Sequence, residues 1–329
     1  MTTISASPLL SLSMLCLAAI AAPAAAQQDG TVPILPAGPI GDPAGSGPYP
    51  ALAEVRNDAP GYTIYRPAEW PERKLPLVLW GNGGCRDNGL SASHFLRDIA
   101  SRGYLVIANG SARQEQDVLD VLPAVPDVVP PPQDMVVRPP RGEPDETSVT
   151  QMLDAITWAT AADADPDHKF YDRIDTSKIA SLGHSCGGLQ ALAAGFDPRI
   201  TTVMALASGV YGVTESPPGN VAIIQSDLAR LHTPVAILNG GPTDIAYPHG
   251  TRNFELIDHV PVMSANLPVG HGGTFRLANG GEWASVAAAW LDWQLKGSHA
   301  AARWFVGEDC VLCRDDDWTV RRKMFPANP

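Results

Sequence analysis

The run Lys178-Ile179-Ala180-Ser181-Leu182-Gly183-His184-Ser185-Cys186-Gly187-Gly188-Leu189 passes through three kinds of local structure in succession. Lys178 to Leu182 is a short apolar strand. Gly183 to Gly187 is a turn crowded with small residues, and Leu189 to Gly195 opens a helix. A serine at the apex of such a turn is held in a strained backbone conformation. Small residues two positions before and after it let strand and helix approach closely. The hydroxyl is then exposed at a helix N-terminus, where the dipole favours developing negative charge. A bare G-x-S-x-G occurs by chance in many chains; the strand before it and the helix after it are what give this one meaning.

Outward from the turn, apolar runs with strand character alternate with helical periodicity. Tyr62 to Tyr65, Leu75 to Trp80, Tyr104 to Ala108, Val203 to Ala207, Val235 to Leu238 and Val262 to Ala265 read as strands. His94 to Ser101, Ser148 to Ala162 and Trp283 to Leu295 read as helices, the last with Val286, Trp290, Trp293 and Leu295 on one face. This alternation predicts an α/β fold built on a mostly parallel central sheet with helices on both faces. Ligands in such sheets bind beyond the C-terminal ends of the strands.

The flanking segments differ in composition. Residues 1–26 read as a secretory signal: residues 9–26 are apolar and end in Ala24-Ala25-Ala26 ahead of Gln27. No Lys or Arg precedes the apolar run, and an uncleaved anchor or a lipoprotein signal through Cys16 are the alternatives, the latter opposed by Leu15. Residues 27–60, rich in Pro, Gly and Ala, suit an irregular N-terminal arm. Residues 61–300 form the expected catalytic domain. Within them, residues 118–146 contain Pro130-Pro131-Pro132 and Pro139-Pro140, an insertion or cap too constrained for helix or central strand. Residues 301–329 read as a C-terminal tail.

The 329 residues carry a net charge of -12, and no block of Lys or Arg offers a phosphate-binding stripe, so nucleic acid is not an expected partner. No stretch beyond the leader is long enough to span a bilayer, and no stable membrane insertion is expected. Asp315-Asp316-Asp317 reads as a solvated charge run rather than a metal site, and no phosphate loop, nucleotide fingerprint or cofactor-binding lysine is present.

A serine hydroxyl needs a positioned base. In a strand–turn–helix setting the expected chain order is Ser, then Asp or Glu, then His. Of eight histidines, His94, His168 and His184 lie before the serine or within its turn. His232 stands at a strand entrance, His249 and His259 lie between the last two strands, and His299 trails the final helix. His271, in the glycine-rich loop Gly270-His271-Gly272-Gly273 after the last strand, is the candidate base. Asp244, past the strand Val235 to Leu238, is the candidate acid, with Asp258 its rival.

Two backbone amides should face the developing oxyanion. One belongs to Cys186, just after the serine; the other to Gly84 in Trp80-Gly81-Asn82-Gly83-Gly84-Cys85, with Gly83 and Cys85 as neighbouring choices. Trp80, Tyr211 and Tyr247 are candidates for pocket walls or core. Of five cysteines, four lie outside the leader, and three pairings are open to them. Because Cys85 and Cys186 flank the two halves of the expected oxyanion site, the pairing Cys85–Cys186 with Cys310–Cys313 is the one expected. Buried thiols at Cys85 and Cys186, and a redox or metal role for Cys310 and Cys313, are the alternatives.

The segments Gly183-His184-Ser185-Cys186-Gly187-Gly188, Gly240-Gly241-Pro242-Thr243-Asp244 and Gly270-His271-Gly272-Gly273 resemble the nucleophile, acid and base segments of the α/β-hydrolase superfamily. They look in particular like those of its secreted, compact members related to the dienelactone hydrolase, chlorophyllase and polyester hydrolase groups. The resemblance spans residues 60–300 and implies a core sheet of about eight strands and hydrolysis of a carboxylic ester through an acyl-enzyme. The expectation is a secreted or periplasmic monomeric serine esterase that needs neither metal nor cofactor. A peptidase or acyltransferase with the same triad, or a non-catalytic binding protein on this scaffold, are the alternatives.

Overall fold

The computed structural model describes Met1 and residues 34–113, 146–212 and 221–327. The leader and nearly all of the Pro-rich insertion lie outside the described residues.

Ten strands form one sheet: β1 (Gly38–Ala44), β2 (Ala51–Val55), β3 (Tyr62–Pro67), β4 (Leu75–Gly81), β5 (Leu105–Asn109), β6 (Ile174–His184), β7 (Thr202–Leu206), β8 (Val235–Asn239), β9 (Val262–Asn266) and β10 (Thr319–Lys323). Their order across the sheet is β1-β2-β3-β5-β4-β6-β7-β8-β9-β10. From β5 through β9 every pairing is parallel; β1, β2 and β3 on one side and β10 on the other pair antiparallel. The mostly parallel α/β sheet expected from the alternation is present, with two more strands than the eight expected.

The helices are α1 (Ser93–Ser101), α2 (Val149–Ala164), α3 (Cys186–Ala194), α4 (Tyr247–Leu256), α5 (Gly281–Lys296) and the short α6 (His299–Ala302). They cover both faces, because a parallel sheet must bury each side. On β4 every residue is buried, and alternate side chains enter different cores. Val78 and Trp80 meet Phe95 and Ile99 of α1 and Trp283 and Trp290 of α5. Leu75, Leu77 and Leu79 meet Met152 and Ile156 of α2 and Leu189 and Leu192 of α3. Each such side chain contributes about 1.5–3 kcal/mol on leaving water. Ser148 caps α2, its hydroxyl accepting from the Gln151 amide at 3.1 Å.

Two flanking segments differ from the expectation. The arm 27–60 is not irregular throughout, since β1 and β2 extend the sheet. Its prolines misled because β1 is an edge strand, where a missing N–H leaves no ladder partner wanting. Likewise the tail 301–329 contributes β10, paired along its length with β9. The β10 sequence Thr-Val-Arg-Arg-Lys carries the charges that suit an exposed edge.

Candidate active site

The chemistry-bearing residues sit on loops that leave the C-terminal ends of the parallel strands. After β6 the chain turns at Ser185 with φ 54° and ψ -120°, directly before α3. A non-glycine residue in that region costs about 1–3 kcal/mol and persists only where its surroundings impose it. Here the Ser185 N–H donates to the Leu206 carbonyl at 3.0 Å, and the Ser185 carbonyl accepts from Gly188 N–H at 2.9 Å and from the Ser208 hydroxyl at 2.7 Å. The glycines are sterically required: a Cβ at Gly81 would lie 2.5 Å from the Gly187 carbonyl oxygen.

After β8, Asp244 folds back on its own loop and is buried. Its Oδ2 accepts from Gly240 N–H at 2.9 Å and its Oδ1 from Ala246 N–H at 2.8 Å. After β9, His271 places Nδ1 2.7 Å from Asp244 Oδ1 and Nε2 2.9 Å from Ser185 Oγ. The Gly270 N–H bonded to the Gly240 carbonyl at 2.8 Å ties the two loops together. Burial opposes the negative charge of Asp244. The hydrogen bond and charge of His271, with the two backbone amides, outweigh it and hold the carboxyl below its ordinary range. An ionised carboxylate can only accept, so the proton belongs on His271 Nδ1, and Nε2 is left to accept from the serine hydroxyl.

His184 lies beside the base. The two imidazole centroids are 5.1 Å apart, and His184 Nε2 donates to the His271 carbonyl at 2.8 Å. Burial first, then the nearby His271 charge, lowers its pKa from 6.5 to about 4. His184 is therefore neutral near pH 7.

The loop after β4 makes a single 3-10 turn, Gly83–Cys85, in which Gly84 has φ 65° and ψ 11°. The Cys85 amide donates to the Asn82 carbonyl at 3.1 Å, which leaves Gly83 and Gly84 as the candidates for an open donor on this loop. Cys186 is the first residue of α3, where an N–H has no partner within its own helix. Cys85 and Cys186 stand at disulfide distance, Cα to Cα 5.2 Å, and so do Cys310 and Cys313, at 4.9 Å. Of the open pairings, this is the one the fold brings together.

The remaining candidates fall elsewhere. Asp258 is exposed, with its carboxylate 3.8 Å from His259 Nδ1, whereas the carboxylate on His271 is that of Asp244. Trp80 is core, packed on Phe95 and Phe275. Tyr211 stacks on His249 at 3.8 Å between centroids, and Tyr247 opens α4. Asp315 is engaged in its own turn, accepting from Asp317 N–H at 3.0 Å. Among the described residues no helix is long and apolar enough to cross a membrane. Sequence reasoning passed over Ser208, whose hydroxyl braces the serine's carbonyl, and Asn82, which organises the loop after β4; the only signal was their place just past a strand end.

No protein-family model matches the chain, and no curated protein matches it.

Proposed function

We propose that the protein is an exported serine hydrolase of the α/β-hydrolase type that cleaves carboxylic esters through Ser185, His271 and Asp244. The observation that carries this reading is the unbroken line Ser185 Oγ, His271 Nε2, His271 Nδ1, Asp244 Oδ1, with both contacts under 3 Å and the serine at a positive φ. Omitting the outermost strands β1 and β10 leaves eight, the number the family resemblance implies. Two cysteine pairs at bonding distance favour an oxidising compartment outside the cytosol.

In this reading His271 Nε2 takes the proton as Ser185 Oγ adds to the ester carbonyl. The amides of Cys186 and Gly84 receive the oxyanion. His271 then gives the proton to the departing alkoxide as the C–O bond breaks, leaving an acyl-enzyme. Water, deprotonated by the same nitrogen, attacks the acyl carbon and frees the acid and Ser185. Asp244 stays ionised, fixes the tautomer and stabilises the imidazolium.

The test is turnover of a short p-nitrophenyl ester together with fluorophosphonate labelling. Wild type should hydrolyse the ester and be labelled at Ser185, and Ser185→Ala should lose both while keeping its circular dichroism spectrum. An active Ser185→Ala enzyme would refute the assignment.

A further inference from the structure

We infer that Asn82 is a positioning residue for the oxyanion hole, the buried clasp that sets the Gly83–Gly84 amides against Ser185. This rests on the hydrolase reading above and adds to it a residue that does not touch the substrate.

Asn82 directly follows β4 and has no exposed surface. A carboxamide has two N–H donors and two acceptor sites on its oxygen, and all four are engaged. Nδ2 donates to the Arg86 carbonyl at 3.1 Å and to the Asn109 carbonyl at the end of β5. Oδ1 accepts from Trp80 Nε1 at 3.0 Å and from the Ser91 hydroxyl at 3.2 Å. One side chain thus joins the end of β4, the end of β5 and both sides of the loop between β4 and α1.

Gly83 and Gly84 are the only residues between this clasp and Cys85. The Cys85 end is fixed independently, by the bond to Cys186 and by Thr147, whose N–H and hydroxyl both donate to the Cys85 carbonyl at 3.0 Å. Gln190 of α3 in turn donates to the Thr147 carbonyl at 2.9 Å. The two glycines are therefore suspended between a polar clasp and a covalent one. They run against the serine's turn, since a Cβ at Gly83 would lie 2.6 Å from His184 Nδ1. Bare glycines have no side chains to hold them, so the position of their amides is set by these two anchors. Hydrogen-bond stabilisation of an oxyanion is lost steeply as a donor moves off its line.

Asn82→Asp tests this. It keeps the shape and the acceptor toward Trp80 and Ser91 but removes both donors. We expect kcat on a p-nitrophenyl ester to fall by about 10- to 100-fold with KM within about twofold. Affinity for a trifluoromethyl ketone, which adds Ser185 Oγ and develops the same oxyanion, should fall by the same factor as kcat/KM. A purely structural role would lower Tm without moving this analogue affinity relative to KM, and that outcome, or an unchanged kcat, overturns the inference. Should Asn82→Asp not fold, Ser91→Ala removes one of the four bonds and should give the same paired losses at about two- to fivefold; no loss there overturns it equally. Wild type separates the two levels of argument. If wild type neither turns over the ester nor takes the fluorophosphonate, the hydrolase reading fails and takes this inference with it. If wild type does both, a null result at Asn82 sinks the clasp alone.

Discussion

Replacing His184 with glutamine isolates the cost of charging a histidine inside the site. In the folded protein His184 titrates near 4, against 6.5 for a free side chain, because burial and then the His271 charge disfavour its cation. The unfolded chain binds that proton first. Stability from this group is therefore fully present above about pH 6.5, falls as the pH drops through the window, and is gone by about pH 4. Linkage over that interval makes the wild-type fold about 2 kcal/mol less stable at pH 4.5 than at pH 7. Glutamine cannot titrate, yet its amide can still donate toward the His271 carbonyl that His184 Nε2 serves at 2.8 Å. Urea unfolding of both proteins at the two pH values, with disulfides kept oxidised, cancels the titrating groups that do not interact with His184; His271, 5.1 Å away between ring centroids, stays within the difference. Wild type should lose about 2 kcal/mol more than His184→Gln on acidification. A double difference below about 0.5 kcal/mol, well under one pKa unit of linkage, would mean that His184 is already charged in the folded protein or exchanges freely with water.

Asp244→Asn should lower kcat by about four orders of magnitude with little change in KM. The asparagine can present an N–H to Nδ1 and favour the tautomer that leaves no acceptor for the serine. Steady-state kinetics decide, and a loss below tenfold would show that Asp244 does not set the tautomer. Removing the bridge in a Cys85→Ala, Cys186→Ala protein should cost about 4–5 kcal/mol of unfolding free energy in urea. The reason is that the closure spans a sequence separation of 101; an unchanged urea midpoint would mean that the pair is not bonded in the isolated protein.

The fold was legible wherever a strand is buried on both sides, because such strands must be apolar along their length. Leu75 to Trp80 and Val235 to Leu238 were found to within a residue or so of their observed ends. Of the segments missed, β2 is mostly buried but short and carries Glu54, while β1 and β10 are strands whose composition burial does not dictate. β1 is largely exposed, with Ile40 its one buried residue. Only its pairing to β2 makes it a strand, and pairing partners are remote in sequence. β10 reads as a basic surface run, and nothing local in Thr319–Lys323 states that β9 lies alongside.

The site divides along a similar line. The chemistry proposed for Ser185, Asp244 and His271 is open to few side chains, so residue type and chain order were enough to single them out. Asn82, Ser208 and Gln190 act by holding backbone in place, which many polar residues can do from many positions. Their significance lies in partners such as Asn109, Ser185 and Thr147, each more than twenty residues away in sequence. Cys186 belongs to both groups. As the residue after the serine it was expected to offer its amide, while its side chain carries the bond to Cys85 on the other loop. A donor pair split between two loops is useful only if the loops keep a fixed separation. In the proposed oxyanion hole, the covalent tie at Cys85 and the four hydrogen bonds at Asn82 stand on either side of the two glycines whose amides that separation would fix.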